Sequence, residues 1–338
     1  MSIIFFVLFL LCCTSSVLSV KDDEKVLLKI KKQLGDPDSL SWWVKGFDYC
    51  DASANTGPDF SYITCTDTGR VRSILLQNLN VNAPFPDAIC DLTDVQDLLL
   101  NNDPGLYGPI PSCITQLSNL WEVIITDTSF SGPVPSFYNN PNLLFINLAS
   151  NHLSGTIPSS FSALPKLISL DLSGNYLTGS IPPQLVHTSS PSLVLSNNSL
   201  TGELPKCYGW VDFSVIDVGG NQLIGDASFL FGRQKKAVNI VLANNEFEFD
   251  LSNLGCTSLI YRSTDSVGSY LREVTWGDSV LQFLQTIHAF VGTRSHLAPL
   301  QHRHQHFNSR PPVPVQYKFD RKTHLSCNVL FVMYQNKR

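Results

Sequence analysis

The chain has 338 residues, 43% of them apolar and 15% charged, with a formal net charge of −5. These values describe an ordinary folded protein and give no support to nucleic-acid binding. The charge is uneven, however: residues 1–70 carry seven Lys+Arg against nine Asp+Glu, residues 71–254 six against 15, and residues 255–338 ten against four. An acidic middle attracts a basic protein partner and repels a phosphate backbone, while the change of sign in the tail marks a segment of different origin.

Residues 1–19 read as a signal peptide. The apolar run Ile3 to Cys13 is followed by small residues and by Val17-Leu18-Ser19, ahead of the charged Lys21-Asp22-Asp23-Glu24. That run is too short for a bilayer core of about 30 Å, and cleavage is expected after Ser19. No later apolar stretch is longer: Val329-Leu330-Phe331-Val332-Met333 is bounded by polar residues. The expected product has no membrane span and works outside the cell, where disulfides form. Seven cysteines remain beyond Ser19, namely Cys50, Cys65, Cys90, Cys113, Cys207, Cys256 and Cys327, and none of them forms a Cys-x-x-Cys pair. Neither a structural zinc site nor a thioredoxin-type site is therefore expected.

Residues 20–70 read as a cap. Val26, Leu27, Ile30 and Leu34 share one helical face, and Trp42, Trp43 and Phe47 supply the bulk to cover whatever follows. Cys50 and Cys65 bracket the last part of this segment and are expected to bridge.

Residues 71–254 repeat. The pattern L-x-x-L-x-L-x-x-N-x-L-x-G-x-I-P recurs in eight units whose central anchors are Leu76, Leu100, Ile125, Leu148, Leu172, Leu195, Val218 and Leu242, at spacings of 23 to 25 residues. The fold class expected is an α/β leucine-rich-repeat solenoid, a right-handed curved superhelix with a concave parallel β-sheet, convex 3-10 or extended segments and a helical N-terminal cap. Alternating pairs such as Ile146 and Leu148 give each unit a short strand with one buried face. Asn151, Asn175, Asn198, Asn221 and Asn245 fall in the ninth slot, where a carboxamide can serve backbone groups at a buried bend. Gly108, Gly132, Gly155, Gly179, Gly202 and Gly225 allow a tight turn before an Ile/Val/Leu-Pro segment. Cys90 and Cys113 lie on adjacent turns and can reach each other, whereas Cys113 and Cys207 are four repeats apart and cannot.

Residues 255–338 lack the repeat. They hold six of the eight histidines, the run His302-Arg303-His304-Gln305-His306, and Arg310-Pro311-Pro312-Val313-Pro314. The pattern breaks off in mid-repeat, which predicts a basic His/Pro-containing tail, poorly ordered and read out of the ancestral frame or through a retained intron. His302, His304 and His306 alternate as metal ligands on a strand would, but without a carboxylate cluster beside them they read as solvated, so no metal or cofactor is expected.

Beyond the repeat itself, four stretches carry a resemblance. They are Leu27 to Pro37 in the cap, the one-residue insertion within Asn102 to Ile110, Gly225 to Gly232, and Glu246 to Ser252. Over residues 20–254 the chain resembles plant polygalacturonase-inhibiting proteins. The resemblance implies a cell-wall defence protein that binds and blocks a secreted endopolygalacturonase, without catalysis of its own. Cell-wall pectin is a further partner it implies.

On a solenoid of this kind the variable strand positions point out of the concave face. The residues expected to contact a partner there are Asp97, Trp121, Glu122, Ile124, Thr126, Asp127, Phe145, Asn147, Ser169, Asp171, Val215 and Asp217. The acids match a basic partner, and Trp121 with Phe145 would be the desolvated anchors. Asp171 and Asp217 lie two strands apart, about 10 Å at the ~5 Å spacing of parallel strands, and no nucleophile-base pair falls on neighbouring repeats, so no catalytic residue is expected. Asn197-Asn198-Ser199 is a glycosylation acceptor at Asn197. Two other readings share this pattern: a soluble recognition module or co-receptor for a peptide or ectodomain, and a degenerate relative with little activity.

Overall fold

In the computed structural model the described residues are 23–51, 62–183, 185, 191–231 and 239–248, together with the strands Leu259–Thr264 and Val329–Tyr334. Predictions that fall on the signal peptide, on Phe249 and Leu251, on Cys256 and Cys327, and on the histidine and proline runs lie outside them.

The cap forms as its periodicity requires. Residues 23–33 are helical, and Leu27, Ile30 and Leu34 are buried on the inner stripe. The helix stops where Gly35 and Asp36 take φ of 83° and 54°, and their N–H groups close on the carbonyls of Lys32 and Lys31. Trp42, Trp43, Phe47 and Tyr49 then pack with centroids 5.2 to 6.4 Å apart. Asp23 ties this layer to the first repeat. Its carboxylate accepts Nε and Nη2 of Arg70 and the backbone N–H of Val71, each at 2.8 Å. Tyr62–Cys65 pairs antiparallel with Val71–Gln77 and covers the open sheet edge.

Beyond the cap, the first sheet runs in parallel through Val71–Gln77, the leading parts of Asp97–Pro109 and Glu122–Pro133, and then Phe145–Asn147, Ser169–Asp171, Ser192–Val194, Val215–Asp217 and Asn239–Val241. Leu98, Val123, Ile146, Leu170, Leu193, Ile216 and Ile240 point inward from it and are at most 1% exposed. The convex side carries short 3-10 turns, among them Asp87–Asp91, Ser112–Gln116, Ser159–Ala163 and Lys206–Trp210.

The asparagines form the expected ladder. Asn175 Nδ2 donates to the carbonyls of Leu148, Leu172 and Ser173 at 2.9 to 3.1 Å, while its Oδ1 accepts the N–H of Leu153 at 2.9 Å. Asn198, Asn221 and Asn245 repeat this arrangement, and Asn151 does so through Nδ2 while its Oδ1 accepts Thr128 Oγ1, so carbonyls that turn inward at each bend find donors. Two residues after each anchor the backbone is left-handed, at Asn78, Asn102, Asp127, Ser150, Gly174, Asn197, Gly220 and Asn244. Asn, Asp and Gly dominate that row because they tolerate the conformation.

One element departs from the sequence expectation. The N-x-L-x-G segment is not only a turn. It builds a second parallel sheet from the trailing part of Glu122–Pro133 through His152–Thr156, Tyr176–Gly179, Ser199–Glu203 and Gln222–Gly225 to Glu246–Phe247. The glycines after it have φ of 77° to 84°, a value that costs any other side chain and that turns the chain onto the convex side.

Cys50 is bridged to Cys65 as expected, and the pair that the repeat spacing leaves possible, Cys90 and Cys113, is bridged too, with Cα atoms 5.4 and 5.8 Å apart. Cys207 is the free cysteine among the described residues. At the far end Asn239–Val241 pairs in parallel with Val329–Tyr334, which pairs with Leu259–Thr264, so two tail strands continue the first sheet.

Candidate partner-binding face

The parallel register converts the repeat into rows. Asp97, Glu122, Phe145, Ser169, Ser192, Val215 and Asn239 lie side by side, and two residues on Leu99, Ile124, Asn147, Asp171, Val194, Asp217 and Val241 do the same. Nine of the expected residues fall on these two rows, with Trp121 immediately before them and Thr126 and Asp127 beyond them on the same strand. None of them is buried.

The apolar part is concentrated at the strand entrances. Trp121 and Phe145 are 45% and 39% exposed, and Ile168, which the repeat template leaves outside the strand, is 38% exposed. Leu144 N–H donates to Trp121 C=O and Ile168 N–H to Leu144 C=O, which sets Trp121, Leu144 and Ile168 in line on successive coils. An apolar cluster of this kind on an otherwise polar face is a contact feature. Ile168 was legible only as a variable position preceding the strand.

Acids flank the cluster on both sides. Asp97 and Glu122 are directly paired across the sheet. Burial pushes both carboxyls up; the charge of Asp97 adds to this for Glu122, and Arg72 partly offsets it for Asp97. Asp217 is raised by burial and by Asp171, against the hydrogen bonds from Gly219 and Ser196 that lower it. Asp171 and Asp217 sit on opposite sides of Val194, two strands apart.

Three of the expected contact residues also have local duties. Asp171 Oδ1 accepts Ser173 N–H at 2.9 Å, Asp217 Oδ1 accepts Gly219 N–H at 3.0 Å, and Asn147 Oδ1 accepts Ala149 N–H at 3.0 Å. Each closes the turn that leaves the strand. Asp127 stands in the left-handed row at the rim, exposed. Thr126 Oγ1 donates to Asn101 Oδ1 at 3.3 Å.

Asn197 occupies the same left-handed row and is exposed, while Asn198 beside it points into the ladder. Among the described residues no group of three or more His, Cys, Asp or Glu is placed to hold a metal ion, and no helix is long and apolar enough to cross a membrane.

A family model described as leucine rich repeat matches residues 133–177. Polygalacturonase inhibitor of Pyrus communis is 39% identical over 238 residues, covering 69% of each chain. Polygalacturonase inhibitor 2 of Phaseolus vulgaris is 36% identical over 260 residues, covering 75% of each. Among solved structures, a plant ice-binding protein superposes with a TM-score of 0.63 at 34% identity, over 69% of this chain and 74% of that one.

Proposed function

Since the chain belongs to the polygalacturonase-inhibitor family of leucine-rich-repeat proteins, we propose that it is a secreted cell-wall defence protein that binds a pathogen endopolygalacturonase through its concave face and blocks it. The observation that carries this reading is the apolar cluster of Trp121, Phe145 and Ile168 with Asp97 and Glu122 beside it. Desolvated aromatics supply affinity, and flanking acids select a basic rim and speed encounter. A scaffold of this shape hosts unrelated functions, so the likeness to an ice-binding protein does not decide the matter. The exposed side chains do.

Binding alone inhibits when the docked body occludes the substrate cleft, so no group on this chain has to react. The acidic rows would repel a polyuronate, and pectin is therefore a secondary partner in this reading, held away from the concave face.

The test is titration of a fungal endopolygalacturonase with the purified full chain while reducing-end release from polygalacturonate is followed. Inhibition that saturates near a stoichiometric ratio supports the proposal. Well-folded monomer that leaves several such enzymes fully active removes it, and a recognition module for another extracellular protein then becomes the better reading.

A further inference from the structure

The second sheet carries its own organised surface. His152 and Tyr176, on neighbouring coils, stack with centroids 5.7 Å apart and planes 9° apart, and Tyr176 is 60% exposed. Ser131 lies directly across from His152, and Ser154 directly across from Tyr176. A serine is too short to cover a ring, which leaves the His152 face toward Ser131 open, while Tyr176 stands clear of the sheet.

Two residues beyond Tyr176 and four beyond His152, the positions Thr156, Thr178 and Ser199 form a directly paired row. Parallel strands place these positions about 4.8 Å apart, with Thr178 about 6.6 Å along its strand from Tyr176; Thr178 Oγ1 donates to Gly155 C=O at 3.4 Å and keeps its lone pairs as acceptors. No Lys, Arg, Asp or Glu stands among these positions. The nearest acids on the same sheet, Glu203 and Glu246, lie beyond the row.

From these side chains we infer that the His152–Tyr176 platform and the Thr156–Thr178–Ser199 row form a second binding site, separate from the concave face, for an extended neutral polysaccharide. The chemistry is specific to that class. A pyranose presents an apolar face of C–H bonds, which packs on the electron-rich face of an aromatic ring. Its equatorial hydroxyls need partners that both donate and accept, which serine and threonine provide. A periodic polymer matches a periodic row. A uronate polymer would require cations that this surface lacks, and a peptide would seek a free strand edge or a pocket, where this is a closed sheet face.

The experiment is affinity electrophoresis of the full chain in gels containing hydroxyethyl cellulose, with parallel gels containing polygalacturonate. Retardation by the neutral glucan is expected, weakened about tenfold in apparent affinity by Tyr176→Ala and retained within about twofold by Tyr176→Phe. Thr178→Glu, which leaves both rings in place and puts a charge on the row, should weaken it similarly. Polygalacturonase inhibition by all three variants should match the parent, which separates this site from the concave one. Absence of retardation by the glucan overturns the inference. So does retardation that Tyr176→Ala and Thr178→Glu leave unchanged, or a stronger, salt-sensitive retardation by polygalacturonate.

Discussion

Asp103 Oδ1 accepts the backbone N–H of Asn80 at 2.9 Å, the bond that a ladder asparagine makes elsewhere, while its Oδ2 is buried without a partner. Asp103 occupies the slot of Asn151 and Asn175, whose Nδ2 atoms donate to inward carbonyls. A carboxylate has no proton to give there. Burial accordingly raises the Asp103 pKa, against the hydrogen bonds that lower it.

Asp103→Asn is expected to stabilise the protein at neutral pH. The folded pKa lies above the unfolded one, so Asp103 contributes fully below the unfolded carboxyl pKa and loses that contribution as pH rises through the folded value. Asparagine keeps the acceptor and restores the donor at every pH. The gain should be about 1–3 kcal/mol near neutrality and should shrink as the pH falls through the carboxyl range. Thermal unfolding of both proteins across that range measures it, and a gap that does not narrow in acid would contradict the assignment.

The reverse experiment tests the ladder itself. Asn175→Ala removes the acceptor of the buried Leu153 N–H and one of the two donors that serve each of the Leu148 and Leu172 carbonyls, which keep Asn151 Nδ2 and Asn198 Nδ2. A loss of about 1–3 kcal/mol is expected in chemical denaturation. An exposed change on the convex side, Tyr138→Ala, should cost far less, because Tyr138 is 59% exposed.

The repeat, the ladder, the cap helix and the Cys50–Cys65 bridge could be read in advance because each follows from spacing, which left Cys90 and Cys113 only as a possible pair. A 23- to 25-residue period leaves few ways to stack coils, and stacking alone brings Cys90 beside Cys113. The second sheet was hidden for a physical reason. Its strands, such as Tyr176–Gly179, are short, alternate about one buried leucine and end at a glycine, a pattern that reads as a turn until the neighbouring coils supply the hydrogen bonds. The outward identities of His152 and Tyr176 consequently carried no signal in the chain. The concave rows were legible, and Ile168 shares the template slot of Trp121 two coils away, but an isoleucine beside a buried leucine reads as core where an indole reads as a contact group.

Trp121→Ala should weaken partner binding at least tenfold, about 1.4 kcal/mol or more, while Tyr138→Ala leaves it unchanged. Trp121 is partly exposed at a strand entrance, so removing it costs contact area and little core packing. Titration calorimetry against the inhibited enzyme measures both. Equal affinities for the two variants would place the interface elsewhere.

The acids predict how binding follows pH. Asp97, Glu122 and Asp217 all have raised pKa values, chiefly from burial, with like charge adding for Glu122 and Asp217. A basic partner binds their ionised forms, so affinity should be full above the raised pKa values and fall as the pH drops through them, earlier than ordinary surface carboxylates would dictate. Docking also works against the raise, because a cation brought beside Glu122 favours its ionised form and binding then releases protons in that range. Asp97→Asn removes the charge that adds to the raise of Glu122 across the paired strands, so the Glu122 pKa should move down and the remaining fall in affinity should shift to lower pH. Measuring affinity at several pH values for the parent and for Asp97→Asn separates the two effects: a lower plateau with a shifted midpoint supports this arrangement, and an unchanged midpoint contradicts the coupling between the two acids.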